Sequence, residues 1–300
     1  MTSATPESSR NPTIALMSPG DMGHAVAAML RGHGLRVITC LAGRSARTRA
    51  LAERAGIEPV ADDDLLVREA DLLLSILVPA EAEKLARRIA AALERTRTQL
   101  LYVDCNAIAP ATVRRIGAVV EAAGARFVDA GIIGPPPKVG ARTVFYASGE
   151  HAGSFAALRD FGLGVRPVGE RPGDASAVKM CYAALTKGTT ALMTELSVAA
   201  ERLGVSAALR QEFAESQRAA AERMAGGVPA MVPKAHRWVG EMAEIAQTFE
   251  DCGLTPKTYL GAAEIYDFVA QTSLGRISPE QWRDESRSFE QVVALLAKER

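Results

Sequence analysis

A short glycine-containing segment near the start of the chain has the residue types needed to bind a dinucleotide phosphate. An apolar run over 13–17 leads into Ser18-Pro19-Gly20-Asp21-Met22-Gly23 and then directly into a helical pattern. In the usual GxGxxG fingerprint, the glycines permit a tight turn, a close approach of the pyrophosphate and tight helix–sheet packing. Here Ser18 replaces the first glycine. Backbone amides at the helix start would still bind a pyrophosphate, helped by the helix dipole. The alternative is an ordinary glycine-rich turn.

The end of the second expected strand, 36–40, indicates which dinucleotide would bind. NAD-specific sites normally place Asp or Glu about 20 residues after the glycines, where it binds the ribose 2′-hydroxyl. This chain instead has Leu41-Ala42-Gly43-Arg44-Ser45. A guanidinium and a hydroxyl at a helix start suit a 2′-phosphate, so we predict NADP, bound by Arg44 and Ser45. Arg47 and Arg49 are interpreted as surface residues, and the alternative is that all three arginines form a solvated helix face.

A parallel sheet must position these residues, and the first half of the chain has the corresponding pattern. Short apolar runs alternate with amphipathic stretches, which is typical of βα units. Strands are expected at 13–17, 36–40, 72–77, 100–103, 126–129, 143–148 and 165–168, and helices near 21–33, 45–55, 81–94 and 110–123. After residue 173 the strand signals largely disappear. Helices are then expected at 174–203, 206–224, 229–251, 256–272 and 279–298, several of them beginning at a proline.

These patterns predict an α/β protein, with a Rossmann doubly wound parallel sheet followed by an all-α C-terminal domain. We expect a disordered tail over 1–12, an NADP-binding domain over 13–171, and a helical substrate and dimerisation domain over 172–300. The tail is rich in Ser, Thr and Pro and lacks the apolar region of a signal peptide.

Composition excludes several classes of partner. The chain has 35 Lys and Arg against 35 Asp and Glu, so no net field attracts nucleic acid or an anionic membrane. Its apolar runs are too short to span a bilayer. The four cysteines, Cys40, Cys105, Cys181 and Cys252, lack metal-ligand spacing, and no metal site is predicted. We expect a soluble, cytoplasmic protein that binds a small-molecule substrate.

Several motifs occur in an order that is typical of one family. They are the turn ending in Met22-Gly23, Val78-Pro79, the stretches 104–110 and 129–134, and Gly173 followed six residues later by Lys179. With these motifs the chain resembles the β-hydroxyacid dehydrogenase family, which includes 6-phosphogluconate dehydrogenase-like proteins and imine reductases. The resemblance implies hydride transfer between nicotinamide and a substrate carbon in a cleft between domains. It also implies that Val78, Pro79 and Asn106 contact the cofactor.

The resemblance further implies that Lys179 is the general acid/base. Its neighbours Ala177, Val178, Met180 and Cys181 make it a lone cation in an apolar segment. Because desolvation lowers the pKa of a lysine towards working pH, such a residue suits acid/base catalysis. The alternative is a helix lysine whose amine extends into solvent.

The chain also departs from the family pattern where the family binds its substrate. Tyr182 stands at the first of two positions that are Asn in the family, and Ile133-Gly134-Pro135 replaces a Ser-Gly-Gly loop. Asn106 is thereby expected to be the main polar contact of the substrate. A later substrate lysine is missing from the segment 240–245, and His236, about one turn upstream, is the candidate in its place. The alternatives are that His236 and Arg237 form a solvated helix face and that Tyr182 only packs.

Three functions remain open on these residues. The first is an NADP(H)-dependent dehydrogenase or reductase of a small hydroxy acid or its keto form, with Lys179 as general acid/base. The second is an imine reductase, with Tyr182 as proton donor. The third is a non-catalytic NADP-binding protein. A homodimer is also expected, from the resemblance and because the helix over 174–203 is apolar around much of its circumference.

Overall fold

The computed structural model describes residues 11–138 and 140–299. The predicted disordered tail lies outside the described residues, apart from Asn11 and Pro12. Contacts divide the chain into two compact units, Met1–Lys179 and Met180–Arg300. The division falls inside a long helix, whereas the sequence placed the domain boundary after residue 171. Among the described residues, no helix combines the length and the apolar character needed to cross a membrane.

The first unit is built from alternating strands and helices. The strands are β1 Thr13–Met17, β2 Arg36–Cys40, β3 Glu58–Val60, β4 Leu72–Ser75, β5 Leu101–Asp104, β6 Arg126–Ile133, β7 Val144–Ser148 and β8 Val165–Gly169. The helices between them are α1 Asp21–Gly32, α2 Ala46–Arg54, α3 Asp63–Glu69, α4 Pro79–Thr96, α5 Pro110–Ala122 and α6 Ala152–Ala156, the last continued by a 3₁₀ turn over Ala157–Phe161.

Helices make up the rest of the described chain. They are α7 Asp174–Arg202, α8 Ser206–Ser216, α9 Arg218–Met231, α10 Ala235–Asp251, α11 Lys257–Gln271, α12 Pro279–Glu285 and α13 Phe289–Lys298, with a 3₁₀ turn over Val232–Lys234. The predicted fold class, a doubly wound sheet followed by a helical region, is confirmed.

The sheet has the order β3-β2-β1-β4-β5-β6-β7-β8. All neighbouring strands are parallel except β6 and β7, which are antiparallel. Because the chain crosses from β3 over to β4 on the other side of β1, the strand order reverses beside β1. Ligands of open α/β sheets bind at this reversal, outside the carboxyl ends of the strands.

The packing of the core explains why the strand sequences are almost continuously apolar. One layer of buried side chains, including Leu16, Val26 and Phe155, fills the face of the sheet covered by α1 and α6. A second layer, including Leu85 and Ile116, fills the face covered by α4 and α5. Since parallel strands are covered on both faces, both sets of alternating side chains must be apolar.

Several predicted element boundaries were wrong. Strand β3 and helix α3 were missed because each is short and β3 contains Pro59, which an edge strand tolerates. Pro229 does not begin a helix but lies inside α9. The predicted helix over 206–224 ends at Gln217, whose backbone is not helical, and nothing in the local sequence explains that break. The predicted helix over 279–298 is two helices, since Ser288 caps a new one.

Candidate functional site

The predicted phosphate turn lies at the carboxyl end of β1. The Ser18 amide donates to the carbonyl of Ile76, and the Ile76 amide donates to that of Met17, so the turn is attached to the end of β4. A β-carbon at Gly23 would meet the Ser18 carbonyl and lie 3.0 Å from Leu16 Cδ2, so only glycine lets α1 start this close to β1.

Gly20, by contrast, faces open space. It is the N-cap residue of α1, and apart from its own chain neighbours no heavy atom lies within 4 Å of the place where its β-carbon would stand. The first-turn amides of a helix have no partner within the helix, and they favour an anion. The open side at Gly20 therefore fits the diphosphate of a dinucleotide.

An ion pair and a histidine lie beside this turn. The Asp21 carboxylate, in the first turn of α1, forms an ion pair of 2.7 Å with Arg47 of α2. His24 Nδ1 lies 2.8 Å from the carbonyl oxygen of Gly20. Arg47 is exposed, as the sequence suggested, and its guanidinium also offsets the negative charge of Asp21 beside the proposed anion position.

The residues expected to read the ribose lie between β2 and α2. Ser45 caps α2, accepting a hydrogen bond of 3.2 Å from the Thr48 amide. Arg49 donates to the carbonyls of Leu41 and Arg44 at 2.7 and 3.2 Å, so it braces the loop. Arg44 is partly buried. After the hydrogen bond and charge of Lys84, the Arg44 charge also helps lower the pKa of Glu81, which places Arg44 near the first turn of α4.

Val78 and Pro79 begin that same helix. Val78 is the N-cap residue of α4 and Pro79 is its first residue, where a missing amide hydrogen costs nothing. The Val78 side chain is exposed at the carboxyl end of β4. Val78, Pro79 and Arg44 are thus on the same edge of the sheet as the phosphate turn.

Asn106 is placed differently from the expectation. It is buried, and its amide nitrogen donates to Ser75 Oγ at 2.9 Å and to Asp104 Oδ2 at 3.0 Å. Its Oδ1 accepts from the Leu77 amide. Since both amide hydrogens are used within the protein, the side chain joins the ends of β4 and β5. This geometry does not support Asn106 as the main polar contact of a substrate.

The predicted substrate loop follows β6. Ile133 is partly buried at the end of the strand, and Gly134 has a φ of 123°, a conformation that favours glycine. A β-carbon at Gly134 would also meet the Arg142 carbonyl. Thr143 Oγ1 donates to the Pro135 carbonyl at 2.6 Å and closes the loop. These residues bring apolar side chains and backbone groups to the edge of the sheet.

Lys179 lies on α7, where this helix crosses β6. It is partly buried, and burial lowers the pKa of its amine from 10.5 to about 8. A β-carbon at Gly131 of β6 would stand 2.8 Å from Lys179 Cβ, so the glycine permits this close approach. The lysine therefore has two properties expected of a general acid/base, a position beside the ligand edge of the sheet and a pKa lowered to about 8.

Two predicted residues lie in the second unit. Tyr182, on α7, is 51% exposed. His236 lies in the first turn of α10 and is exposed; partial burial and the charge of Arg237 lower its pKa. Both side chains are thus accessible to solvent.

The second unit also contains a buried charge cluster that the sequence did not predict. Lys187 of α7 forms an ion pair with Glu241 of α10, and its amine lies 5.1 Å from the centre of the Trp238 ring. The Tyr266 hydroxyl donates to the Lys187 carbonyl at 2.5 Å. Glu241 belongs to the segment where the family would have its substrate lysine. The sequence did contain one sign of this cluster, because Lys187 stands at a position of α7 that faces the core.

Comparisons with known proteins agree with this arrangement. Residues 13–161 match the NAD binding domain of 6-phosphogluconate dehydrogenase, and residues 200–269 match a domain of unknown function, DUF1932. An uncharacterized 28.5 kDa protein of Methanothermus fervidus is 28% identical over 183 residues, which are 61% of this chain and 69% of that protein.

Two solved structures extend the comparison. A conserved protein of unknown function, described as structurally similar to 3-hydroxyacid dehydrogenases, is 29% identical with a TM-score of 0.64, over 86% of this chain and 96% of its own. A 3-hydroxyisobutyrate dehydrogenase of Mycobacterium tuberculosis, with L-serine, has the same fold at 21% identity and a TM-score of 0.68, over 95% and 98%. Together with the match of residues 13–161, these likenesses support an NAD(P)-dependent oxidoreductase. The chain carries an NAD-binding domain of the 6-phosphogluconate dehydrogenase type, followed by a DUF1932 domain.

Proposed function

We propose that the protein is an NADP(H)-dependent oxidoreductase that interconverts a small hydroxy acid and its keto acid. The observation that carries the proposal is the partly buried Lys179, whose Cβ lies against Gly131 of β6 and whose amine has its pKa lowered by burial to about 8. The nicotinamide, when bound, supplies or accepts the hydride. Oxidation also requires a base to take the hydroxyl proton, and the neutral amine of Lys179 does this. In reduction its ammonium returns a proton to the carbonyl oxygen.

The binding of the coenzyme is assigned to the edge around β1. The first-turn amides of α1 and the open side at Gly20 would hold the diphosphate. Arg44 and the start of α2, capped by Ser45, would hold the 2′-phosphate. Val78 and Pro79 provide apolar surface, and Asn106 keeps the ends of β4 and β5 at a fixed spacing.

A pair of arginine variants tests the choice of coenzyme. Arg44→Ala should weaken NADPH binding about 10–100-fold, the loss expected for one charge-assisted hydrogen bond, and leave NADH binding unchanged. Arg54→Ala, at the last turn of α2, is the matched control and should bind both coenzymes as the parent does. Titration of the intrinsic NADPH fluorescence measures the affinities. Equal losses for both coenzymes in Arg44→Ala would contradict the 2′-phosphate role.

Turnover tests the reaction itself. We expect the protein to oxidise NADPH in the presence of one or more small keto acids. The fall in absorbance of the reduced nicotinamide measures this reaction. Lys179→Met should bind NADPH normally and lose turnover. A variant that reduces the same substrate as fast as the parent would remove Lys179 from the mechanism.

A second candidate function, reduction of an imine, is favoured because few of the described polar side chains near the ligand edge are available to a substrate. Since the Asn106 amide is engaged within the protein, and Ile133 and Gly134 present no polar side chain, an uncharged substrate such as an imine would suit this loop. Tyr182 would then be the proton donor. Cyclic imines reduced in preference to keto acids, with turnover lost in Tyr182→Phe, would support this reaction, and inertness towards imines would exclude it.

We also propose that residues 13–171 act as the coenzyme domain and residues 172–300 as the substrate and dimerisation domain of a cytoplasmic homodimer. Support for a dimer comes from α7. Three of its large side chains, Tyr182, Leu185 and Leu192, are 51%, 67% and 59% exposed, and helical spacing places them on one side. A second copy of the chain would remove this apolar surface from water.

A further inference from the structure

The start of α7 is held by a carboxylate from the sheet. Asp129 of β6 is buried. Its Oδ2 accepts from the amides of Gly173 and Ser176, each at 2.9 Å, and its Oδ1 accepts from Ser176 Oγ at 2.6 Å. Gly173 immediately precedes α7 and Ser176 is in its first turn. Asp129 therefore caps a helix that is distant from it in the chain.

A serine on the next strand completes this cap. Ser148 of β7 is the ladder partner of Asp129. Its hydroxyl donates to Asp129 Oδ2 at 3.0 Å and accepts from the Ala175 amide at 2.9 Å. The Asp174 amide donates to Arg171, and the Ala177 amide to Gly173. All the amides from Gly173 to Ala177 thus have acceptors, so the start of α7 is fixed on the sheet and is not an anion site.

The same strand fixes the next turn of the helix. Gly131 follows Asp129 by two residues and so lies on the same face of β6. A β-carbon at Gly131 would stand 2.8 Å from Lys179 Cβ and 2.9 Å from the Ala175 carbonyl. Because Lys179 is about one turn beyond Ser176, the bonds of Asp129 and the contact at Gly131 together determine where its side chain begins.

We propose that Asp129 is the positioning residue for Lys179, acting through the first turn of α7. This inference rests on the proposed function for its catalytic meaning. Burial alone lowers the pKa of Lys179, so Asp129 acts by keeping the helix in place rather than through its charge. An aspartate suits this task because its oxygens only accept, and four donors converge on them. An asparagine would direct an NH₂ group at one of those donors.

The test measures the pKa of Lys179 without turnover. Lysines of the full-length protein are reductively methylated with ¹³C-formaldehyde and titrated by NMR, and the Lys179 signal is identified by its loss in Lys179→Arg. In Asp129→Asn the loosened helix should admit water, so this pKa should rise by about one unit or more towards 10.5. NADPH affinity, which depends on α1 and α2, should stay within about twofold of the parent. An unchanged Lys179 pKa would overturn the proposal.

A second buried carboxylate supplies the matched control. Asp104, the ladder partner of Asp129 on β5, bonds to Asn106 and not to α7. Asp104→Asn should therefore leave the Lys179 pKa unchanged, and an equal rise in both variants would also overturn the positioning role.

Milder variants keep the test available if Asp129→Asn does not fold. Ser176→Ala removes one bond to the carboxylate, and Gly131→Ala pushes the helix from the strand side; both should raise the Lys179 pKa. A raised pKa in a protein that reduces no carbonyl or imine supports the placement and refutes the proposed function. An unchanged pKa in an active enzyme refutes the placement alone.

Discussion

At the residue scale, the pKa of Lys179 sets the pH dependence of the proposed reaction. Since burial lowers it to about 8, the amine is neutral above that pH and protonated below it. The kcat for oxidation should therefore rise as pH increases through about 8, and the kcat for reduction should fall over the same range. Lys179→Met should lower kcat by about 10²–10⁴-fold and abolish the change of kcat with pH near 8. Profiles of kcat against pH, recorded for oxidation and for reduction, measure both effects. If kcat of the variant still changed with pH near 8, another group would be responsible for the pH dependence.

A second titrating residue, Asp104, should affect stability. Burial, with a smaller contribution from the charge of Asp129, raises its pKa to about 7 against the hydrogen bonds from Asn106. Because the folded state binds this proton more tightly than the unfolded state, its contribution to stability is present at acidic pH and is lost as pH rises to about 7. Between pH 5 and 8, the parent should lose on the order of 2 kcal/mol more unfolding free energy than Asp104→Asn. Urea denaturation measures this, with the exposed Asp267→Asn expected to behave as the parent.

At the element scale, two glycines at the start of α1 should respond differently to the same added methyl group. In Gly23→Ala the new β-carbon meets the Ser18 carbonyl, and the overpacking should cost about 1–3 kcal/mol, visible as a lower melting temperature. In Gly20→Ala the methyl group enters open space, so the fold should persist. Coenzyme affinity should nevertheless fall, because that space is where the diphosphate is proposed to approach. Gly20→Ala binding NADPH as tightly as the parent would move the diphosphate elsewhere.

Elements were predictable where one local pattern dominates. The apolar run of β4 and the amphipathic pattern of α4 identify them without tertiary information. In the second unit proline marked the starts of α11 and α12, at Pro256 and Pro279, but Pro229 is accommodated within α9. A better signal was present at α13, where Ser288 and Gln291 form a capping box that marks a helix start.

At the scale of the whole molecule, the local geometry of the candidate site was predictable where its residues belong to short linear motifs. The phosphate turn is such a case, because Gly20 and Gly23 act through their own backbone positions. The partners of Asp129 come from two other segments, at Ser148 and Ser176, and only the folded chain brings them together. Asn106 was assigned to the substrate because a sequence does not show whether an amide is already hydrogen-bonded.

The proposed homodimer depends on a surface that is formed only when the whole chain is folded. If α7 pairs with a second copy through Leu185 and Leu192, a carboxylate in that apolar surface would be desolvated without a partner. Leu192→Asp should therefore convert a dimer into a monomer at micromolar concentration, as measured by sedimentation velocity. Leu65→Asp, at an exposed leucine of α3 in the first unit, is the matched control and should remain dimeric. A monomeric parent protein at that concentration would mean that the exposed face of α7 does not join two copies of this chain.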